Sequence, residues 1–534
     1  MNETFDYLRT FAAFPFALRR FLAQPPLTLA ESRRIVRERM ARRKENFLHL
    51  IEHSVYGWPG SPYLALLERA GCTLDDVRAL IRDQGLEGAL KTLRAAGVYV
   101  TFEEFKGRKP IERPGLTLPV KPEDFDNPAA RRDFNTQTGG STGRATSVGM
   151  NMDHVYATAP YGVLLLAAHG LLDAPRASWS GFLPHSSFRA LMSGGLTGLL
   201  PQRWFSPVGW RDTRQWVKYG LGTGYMLLVL RLMGVRVPWP EVVKPERAAV
   251  IAQWMAETLR AHGRCVLSAS VSRGVRVCLA AEAAGLDLTG AVITGGGEPV
   301  TPSKSERVQR VGARYMSSYF MTEAGRIGAA CARPAEAGDV HLLTDGFAMF
   351  SHPYPVEGFD LTVPAFNLTS LLPAAPKVML NTQMDDYGII EERRCGCELE
   401  SYGYTTHVRE IRSYSKLTGE GVTLIGNEIV RLIEHDLPAR FGGSPLDYQL
   451  IEEEDEQGLT RLFLHVSPSV KLADEQAIVE ALLAGLRRSS PMADAARAVW
   501  QNSGTIQIKR VEPVWTGRGK FMPLQVRRRP RPGA

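Results

Sequence analysis

The sequence predicts an α/β protein, with a large N-terminal domain of parallel-containing sheets covered by helices and a small, mobile α+β domain at the C-terminus. Three observations carry this. From residue 154 to 294 helical runs alternate with short apolar strands, the spacing of a parallel sheet buried on both faces. A polar stretch with Ser415, Lys416, Thr418, Gly419 and Gly421 then precedes a shorter run of helices and strands. A chain of 534 residues also exceeds what one hydrophobic core serves, so at least two domains are expected.

Taken in order, residues 1–100 read as a helical lead-in packed on the main domain. One long helix is expected over 28–53, where Glu31 to Arg43 are strong helix formers without Gly or Pro and Leu48, Leu50 and Ile51 supply an apolar end. Two shorter helices follow near 64–69 and 86–96. The large domain is expected over 101–414. It opens with a helix at 155–170 and a strand within 178–183, then a helix at 248–262, a strand at 265–269, a helix at 275–284 and a strand at 291–294. Residues 338–412 are strand-rich and less regular. With 415–421 as a hinge, 422–534 becomes the small domain, with helices at 428–435 and 475–487 and strands at 447–452 and 461–466.

Composition narrows the function classes. Apolar content of 44% and charge of 22% are those of an ordinary globular protein. The net charge of +8 is partly held in the tail Arg527-Arg528-Arg529-Pro530-Arg531, and no interleaved aromatics accompany it, so no nucleic-acid partner is expected. Six irregularly spaced cysteines argue for a reducing cytoplasm over a secreted disulfide framework. No apolar run is long enough for a transmembrane segment. The segment with Phe11, Phe14, Phe16, Leu18 and Phe21 beside Arg19 and Arg20 could lie on a membrane or a partner; docking on its own protein is the commoner fate.

Four short segments concentrate the chemistry. Thr138-Gly139-Gly140-Ser141-Thr142-Gly143-Arg144 joins three glycines, which permit close backbone approach, to three hydroxyls and a cation; that chemistry suits phosphate oxygens. It has neither the Walker A spacing nor a Gly-x-Gly-x-x-Gly pattern. Gly296-Gly297-Glu298-Pro299 and Tyr319-Phe320-Met321-Thr322-Glu323 fall where strands end, the place for ligands in a parallel sheet. Gly517-Arg518-Gly519-Lys520 lies near the C-terminus.

In this order the four segments resemble the motifs of the adenylate-forming superfamily of acyl-CoA synthetases, aryl-CoA ligases and adenylation domains, most closely its phenylacetate-CoA ligase-like branch. Arg144 and Ala145 stand where that family has Lys and Pro, and Phe320 stands in place of Gly. The first hundred residues are poorly matched. The resemblance implies ATP-dependent adenylation of a small-molecule carboxylic acid with release of pyrophosphate, then acyl transfer to a thiol, CoA first among the candidates. Residues 138–143 would hold the β- and γ-phosphates and Arg144 would add charge, with Glu298, Gly296, Gly297 and Tyr319 on the adenine side. Thr322 and Glu323 would act with Mg²⁺, for which a carboxylate is a suitable hard ligand. Lys520 would reach the developing charge at the α-phosphate. The ribose carboxylate is Asp385 or Asp386, and spacing to Gly388 favours Asp386. His185 and Phe320 would line the acyl pocket, with a structural role for His185 as the alternative.

The resemblance also implies a structural Zn²⁺, for which Cys331, His341, Cys395 and Cys397 have suitable donor types; the alternative is buried free thiols. Two other readings of the chain stay open. One is a tailoring enzyme that passes the adenylate to an amine or other nucleophile. The other is a non-catalytic nucleotide-binding relative, against which the retention of Glu323 and Lys520 argues. The oligomeric state is left open, with a dimer as one expectation.

Overall fold

The computed structural model describes residues 3–137, 147–181, 187–207, 216–297, 300, 302–321, 323–355, 362–413, 430–454, 460–486, 506–515, 521 and 523–527. Its lead-in is helical, with helices Glu3–Leu22, Leu29–Ala41, Arg43–Ile51, Pro62–Arg69 and Leu74–Ala95. Thr28 and Thr73 begin the second and last of these, each side chain accepting from the N–H three residues on. The single helix expected over 28–53 is two helices, broken at Arg42 (φ −106°, ψ 21°). The break lets each half bury a face on a different partner: Leu29–Ala41 lies on the helix Met152–Ala168, and Arg43–Ile51 on Leu74–Ala95.

Two hairpins follow, β1 (Ile111–Arg113) with β2 (Leu116–Leu118) and β3 (Phe134–Gln137) with β4 (Ser147–Met150). The main sheet is built from β5 (Arg176–Trp179), β6 (Arg203–Ser206), β7 (Pro240–Val242), β8 (Cys265–Ser268), β9 (Ala291–Gly295), β10 (Arg314–Met321), β11 (Gly325–Ala330), β12 (Val340–Leu342), β13 (Phe347–Pro355), β14 (Thr362–Ser370), β15 (Thr382–Glu392) and β16 (Thr406–Ser413). These form one 12-stranded sheet in the order β13-β14-β15-β16-β12-β11-β10-β9-β8-β5-β6-β7. From β10 to β7 every pairing is parallel, as the helix-strand alternation predicts, and from β11 to β13 every pairing is antiparallel.

Strand β10 is the seam between the two halves. The parallel half closes over a core of Ile251, Met255, Leu267, Val275, Ala281 and Ile293, covered by the helices Ala249–His262 and Val271–Ala283. The antiparallel half shares a core with the lead-in, where Leu66, Leu90 and Val98 pack with Ile327, Phe366, Leu380 and Val408. Asn381 fixes this junction. It takes the left-handed conformation at φ 50°, and its side-chain amide donates to the carbonyls of Leu90 (2.8 Å) and Val98 (3.1 Å). Those two bonds offset the cost of a non-glycine residue at positive φ and set the start of β15.

The C-terminal sheet has four strands, β17 (Tyr448–Glu454), β18 (Thr460–Val466), β19 (Ile506–Lys509) and β20 (Leu524–Arg527), in the order β19-β18-β17-β20. Its helix Glu475–Leu486 and the π-helical turn Leu432–Asp436 complete a separate core. Contact with the parallel half is both apolar and ionic. Phe521 and Leu446 join the core beneath β8 and β9, and the Arg276 guanidinium lies 3.8 Å from the Trp515 ring centre. Lys304 and Glu434 meet at 2.8 Å with 1% and 0% of their side chains exposed. A buried pair of this kind contributes little net stability, but removing one partner strands the other charge. Glu434→Leu alone is therefore expected to cost about 3–5 kcal/mol in urea unfolding, and combining it with Lys304→Met should recover most of that loss.

Candidate active site

The glycine turn after β9 is shaped by contact with its neighbours. A side chain at Gly296 would place its Cβ 2.1 Å from the Ser318 carbonyl oxygen, and Gly297 has φ 82°, so both positions need glycine. The turn therefore packs directly on the end of β10, where Tyr319 and Phe320 sit. A bulge between these two residues shifts the β10–β11 register. It leaves Tyr319 buried at 8% exposure and Phe320 open at 42%. Arg326 stacks 4.6 Å from the Phe320 ring centre and donates to Ser318 Oγ at 2.6 Å. Burial lowers its pKa to about 10.

Tyr319 donates its hydroxyl to Asp386 Oδ2 at 2.8 Å. Burial, followed by the charge of Asp386, holds this phenol well above its ordinary range, so it stays a donor. Strands β10 and β15 are separated in the sheet by β11, β12 and β16, a gap of roughly 19 Å if the sheet were flat. The contact exists because the antiparallel half rolls over, a path also marked by Phe366 of β14 at 6.5 Å from the Tyr319 ring. Asp385 points to a different partner, accepting from Ser413 Oγ at 3.1 Å. The two aspartates that spacing left in competition are thus told apart by these hydrogen bonds, although both carboxylates act on Tyr319 and Ser413 is the register partner of Asp386.

Glu323 is 4% exposed and ion-paired with Lys106, a residue that sequence reasoning missed. Lys106 ends the short helix Phe102–Phe105, itself begun by a Thr101–Glu104 capping box. No motif surrounds Lys106, so its proximity to position 323 comes from the fold alone. Beside Glu323 lies a small, partly open space of about 10 Å³ lined in part by His154, Ser370 and Lys377, room for about one water. His154 Nδ1 is 2.9 Å from Arg189 Nη1. Since guanidinium is a donor, this nitrogen is the acceptor and the imidazole is neutral. Neither His154 nor Arg189 was singled out from sequence.

The phosphate-loop residues Thr138, Gly139, Gly140, Ser141, Thr142, Gly143 and Arg144 lie outside the described residues, as do His185, Glu298, Thr322, Lys520 and the expected hinge. What flanks the loop is ordered around Asp133. Its carboxylate accepts from Arg20 at 2.7 Å and from the backbone N–H of Met152 at 2.8 Å, while Gln137 pairs with Ser147 across the base of the β3–β4 hairpin.

Among solved structures, 2-hydroxyisobutyryl-CoA ligase in complex with 2-HIB-AMP and CoA aligns over 92% of this chain and 90% of its own, at 15% identity and TM-score 0.40. The o-succinylbenzoate-CoA synthetase of Bacillus subtilis, in complex with its acyl-adenylate intermediate, aligns over 74% and 68% at 13% identity and TM-score 0.42. Acetoacetyl-CoA synthetase from Streptomyces lividans aligns over 76% and 55% at 15% identity and TM-score 0.42. No protein-family model matches the chain, and no curated protein matches it in sequence. At this level of likeness the chain's own residues must carry any functional assignment.

A second cluster lies far along the rolled sheet. Cys331 follows β11, His341 is on β12, and Cys395 and Cys397 are in the turn from β15 to β16. His341 Nε2 lies 3.2 Å from Cys397 Sγ and 3.6 Å from Cys395 Sγ. Ligands around one tetrahedral zinc are separated by roughly 3.3–3.8 Å, so the spacing fits. His341 Nδ1 is held at 2.7 Å by the Tyr404 carbonyl, which turns the Nε2 lone pair toward the sulfurs. Hydrogen bonding with Cys331, then His341, draws the Cys397 thiol far below its usual pKa. The Cys331 thiol is raised by the same contact with Cys397.

His407, missed from sequence, completes this neighbourhood. Ligand atoms of Cys331, His341, Cys395 and His407 lie within 4.8 Å of one another, and β12 places His341 opposite His407. His407 Nδ1 is 2.8 Å from Asp339 Oδ1, and its buried Nε2 has no hydrogen-bond partner. A carboxylate-oriented imidazole with an unmatched inner nitrogen is the arrangement of a metal ligand or its reserve. Cys397, expected as a ligand, lies beside His341 but outside this group of four, in which His407 stands instead.

Two buried histidines give the chain a pH signature. Burial lowers His154 well below the ordinary imidazole range and lowers His169 as well. The folded chain then keeps both neutral where the unfolded chain, titrating near about pH 6.5, takes up protons. The unfolded state binds more protons, so stability is full above about pH 6.5 and declines as pH falls through it. Urea midpoints measured across that window should show the decline, and His154→Gln should flatten part of it.

Proposed function

We propose that this chain is an AMP-forming acid–thiol ligase, which adenylates a carboxylic acid and passes the acyl group to a thiol, with CoA the first acceptor to test. The observation that carries the reading is the Tyr319–Asp386 hydrogen bond. It brings together two of the nucleotide-side segments, next to the glycine turn at 296–297, although the residues are 67 apart in sequence.

In this reading Asp386 would accept the ribose hydroxyls, with Tyr319 holding one carboxylate oxygen and thereby orienting the other. The glycine turn, packed on the end of β10, would offer backbone to a planar base, and Phe320, exposed and backed by Arg326, would face the acyl group. Magnesium bound with ATP would neutralise phosphate charge. Glu323 is the candidate ligand, and Lys106 supplies its countercharge in the structure described. Residues 138–144 would hold the phosphates and Lys520 would stabilise charge at the α-phosphate.

ATP–pyrophosphate exchange over a panel of carboxylic acids tests the reading directly. With a responding acid, Lys520→Ala should lower acyl-AMP formation by about 10² or more while transfer from supplied acyl-AMP survives. Tyr319→Phe and Asp386→Ala should raise the ATP requirement. Exchange with no acid in the panel, combined with undiminished nucleotide binding, would favour the non-catalytic relative.

We also propose a structural zinc held by Cys331, His341, Cys395 and Cys397, with His407 oriented beside them. Support comes from the donor spacing and from the Tyr404 carbonyl that orients His341. Chelator-free protein should contain about one zinc per chain. Cys397→Ser should drop this well below stoichiometry and lower thermal stability without changing the acid preference.

A further inference from the structure

Nine large apolar side chains are exposed among the described residues, and five of them, Phe16, Leu221, Leu228, Leu232 and Trp239, belong to one layer of the molecule. The helices Glu3–Leu22 and Trp216–Leu232 pack side by side. Their inner faces share a core of Phe14, Leu18, Phe21, Met226, Leu227 and Leu230, and the Phe11 and Tyr225 rings meet edge to face at 5.3 Å. Their outer faces are apolar as well. Phe16 is 78% exposed, Leu221 71% and Leu232 79%, and 221, 228 and 232 recur at the spacing of one helix face.

Acidic residues stand only at the margins of these segments, Glu3 and Asp6 at the start of the first helix and Glu241, paired with Arg203, after Trp239. No Asp or Glu occurs in residues 7–30 or 213–240, although 56 of the 534 residues are acidic. Arg19, Arg231 and Arg236 are exposed there. Among the described residues none of the three forms an ion pair, whereas Arg20, on the inner side, is taken by Asp133. No described helix is long and apolar enough to cross a membrane. Exposed Leu, Phe and Trp rimmed by unpaired arginines are the composition of a surface that lies in a lipid interface. A second copy fits less well, because it would set the same arginines against one another.

From this we infer that the outer faces of Glu3–Leu22 and Trp216–Leu232, together with Trp239, seat the protein on anionic lipid bilayers. The apolar side chains enter the headgroup boundary, and the arginines meet lipid phosphates. Seating of this kind is independent of the ligase reading.

Co-sedimentation of the full chain with phosphatidylcholine vesicles, with and without phosphatidylglycerol, tests this. Binding is expected to the anionic vesicles only and to weaken as salt rises. Leu228→Glu with Leu232→Glu should reduce it by at least ~10-fold, and Arg231→Gln or Arg236→Gln by roughly fivefold each. All four positions are exposed, so urea midpoints should not move; should the leucine variant unfold, the arginine variants carry the test alone. Failure to sediment with anionic vesicles would overturn the proposal, as would binding indifferent to all these substitutions. A dimer in light scattering that the leucine variant dissolves, with no lipid binding, would assign the face to a second copy instead.

Discussion

The hydrogen bond from Tyr319 to Asp386 requires the sheet to roll, and much of the remaining structure follows from that. A flat sheet would hold β10 and β15 roughly 19 Å apart. Curling the antiparallel half brings the Tyr319 hydroxyl to 2.8 Å from Asp386 Oδ2 and creates an enclosed face that must be filled. The lead-in helices fill it. Leu66, Leu86, Leu90 and Leu93 enter the same core as Phe366, Leu368 and Met384, so a segment without catalytic motifs supports the strand that carries the aspartates. Tyr63 and Asn381 make the link specific, through Tyr63 Oη to Thr382 Oγ1 at 2.8 Å and the amide contacts of Asn381.

The far end of the roll is held by different chemistry. The Cys–His cluster ties the β15–β16 turn to β11 and β12, beside a part of the core formed by Ala330, Val340, Leu399, Tyr404 and Val408. Asp339 reinforces it, reaching His407 and Arg393 while accepting from the Ala335 N–H. Apolar packing and the polar convergence on Asp339 thus hold the same curved sheet.

The parallel half has a second task, since it receives the C-terminal sheet. Phe521 in its core and the buried Lys304–Glu434 pair define one orientation of that sheet. A desolvated ion pair is a poor source of stability but a sharp geometric constraint, because each charge accepts few other partners.

Much of this was legible in the sequence. Period and composition determined the helix-strand alternation, the parallel half and the separate C-terminal sheet, because these depend on local backbone chemistry; the need for glycine at 296 comes from the Ser318 carbonyl it meets in the folded chain. The resemblance of four segments pointed to Tyr319 and Glu323, a separate stretch at 382–388 left Asp385 and Asp386 in competition, and donor types together with the resemblance pointed to Cys331, His341, Cys395 and Cys397. Tertiary structure alone decided what those residues meet. The break at Arg42 depends on two packing partners, and the different hydrogen bonds of Asp385 and Asp386 depend on the roll. Lys106 meets Glu323 across 217 positions, and His154 beside Glu323 and His407 beside Cys331 and His341 are likewise brought there by the fold. No local pattern encodes such contacts, since they arise when the chain closes on itself and buried charges and lone pairs must find partners.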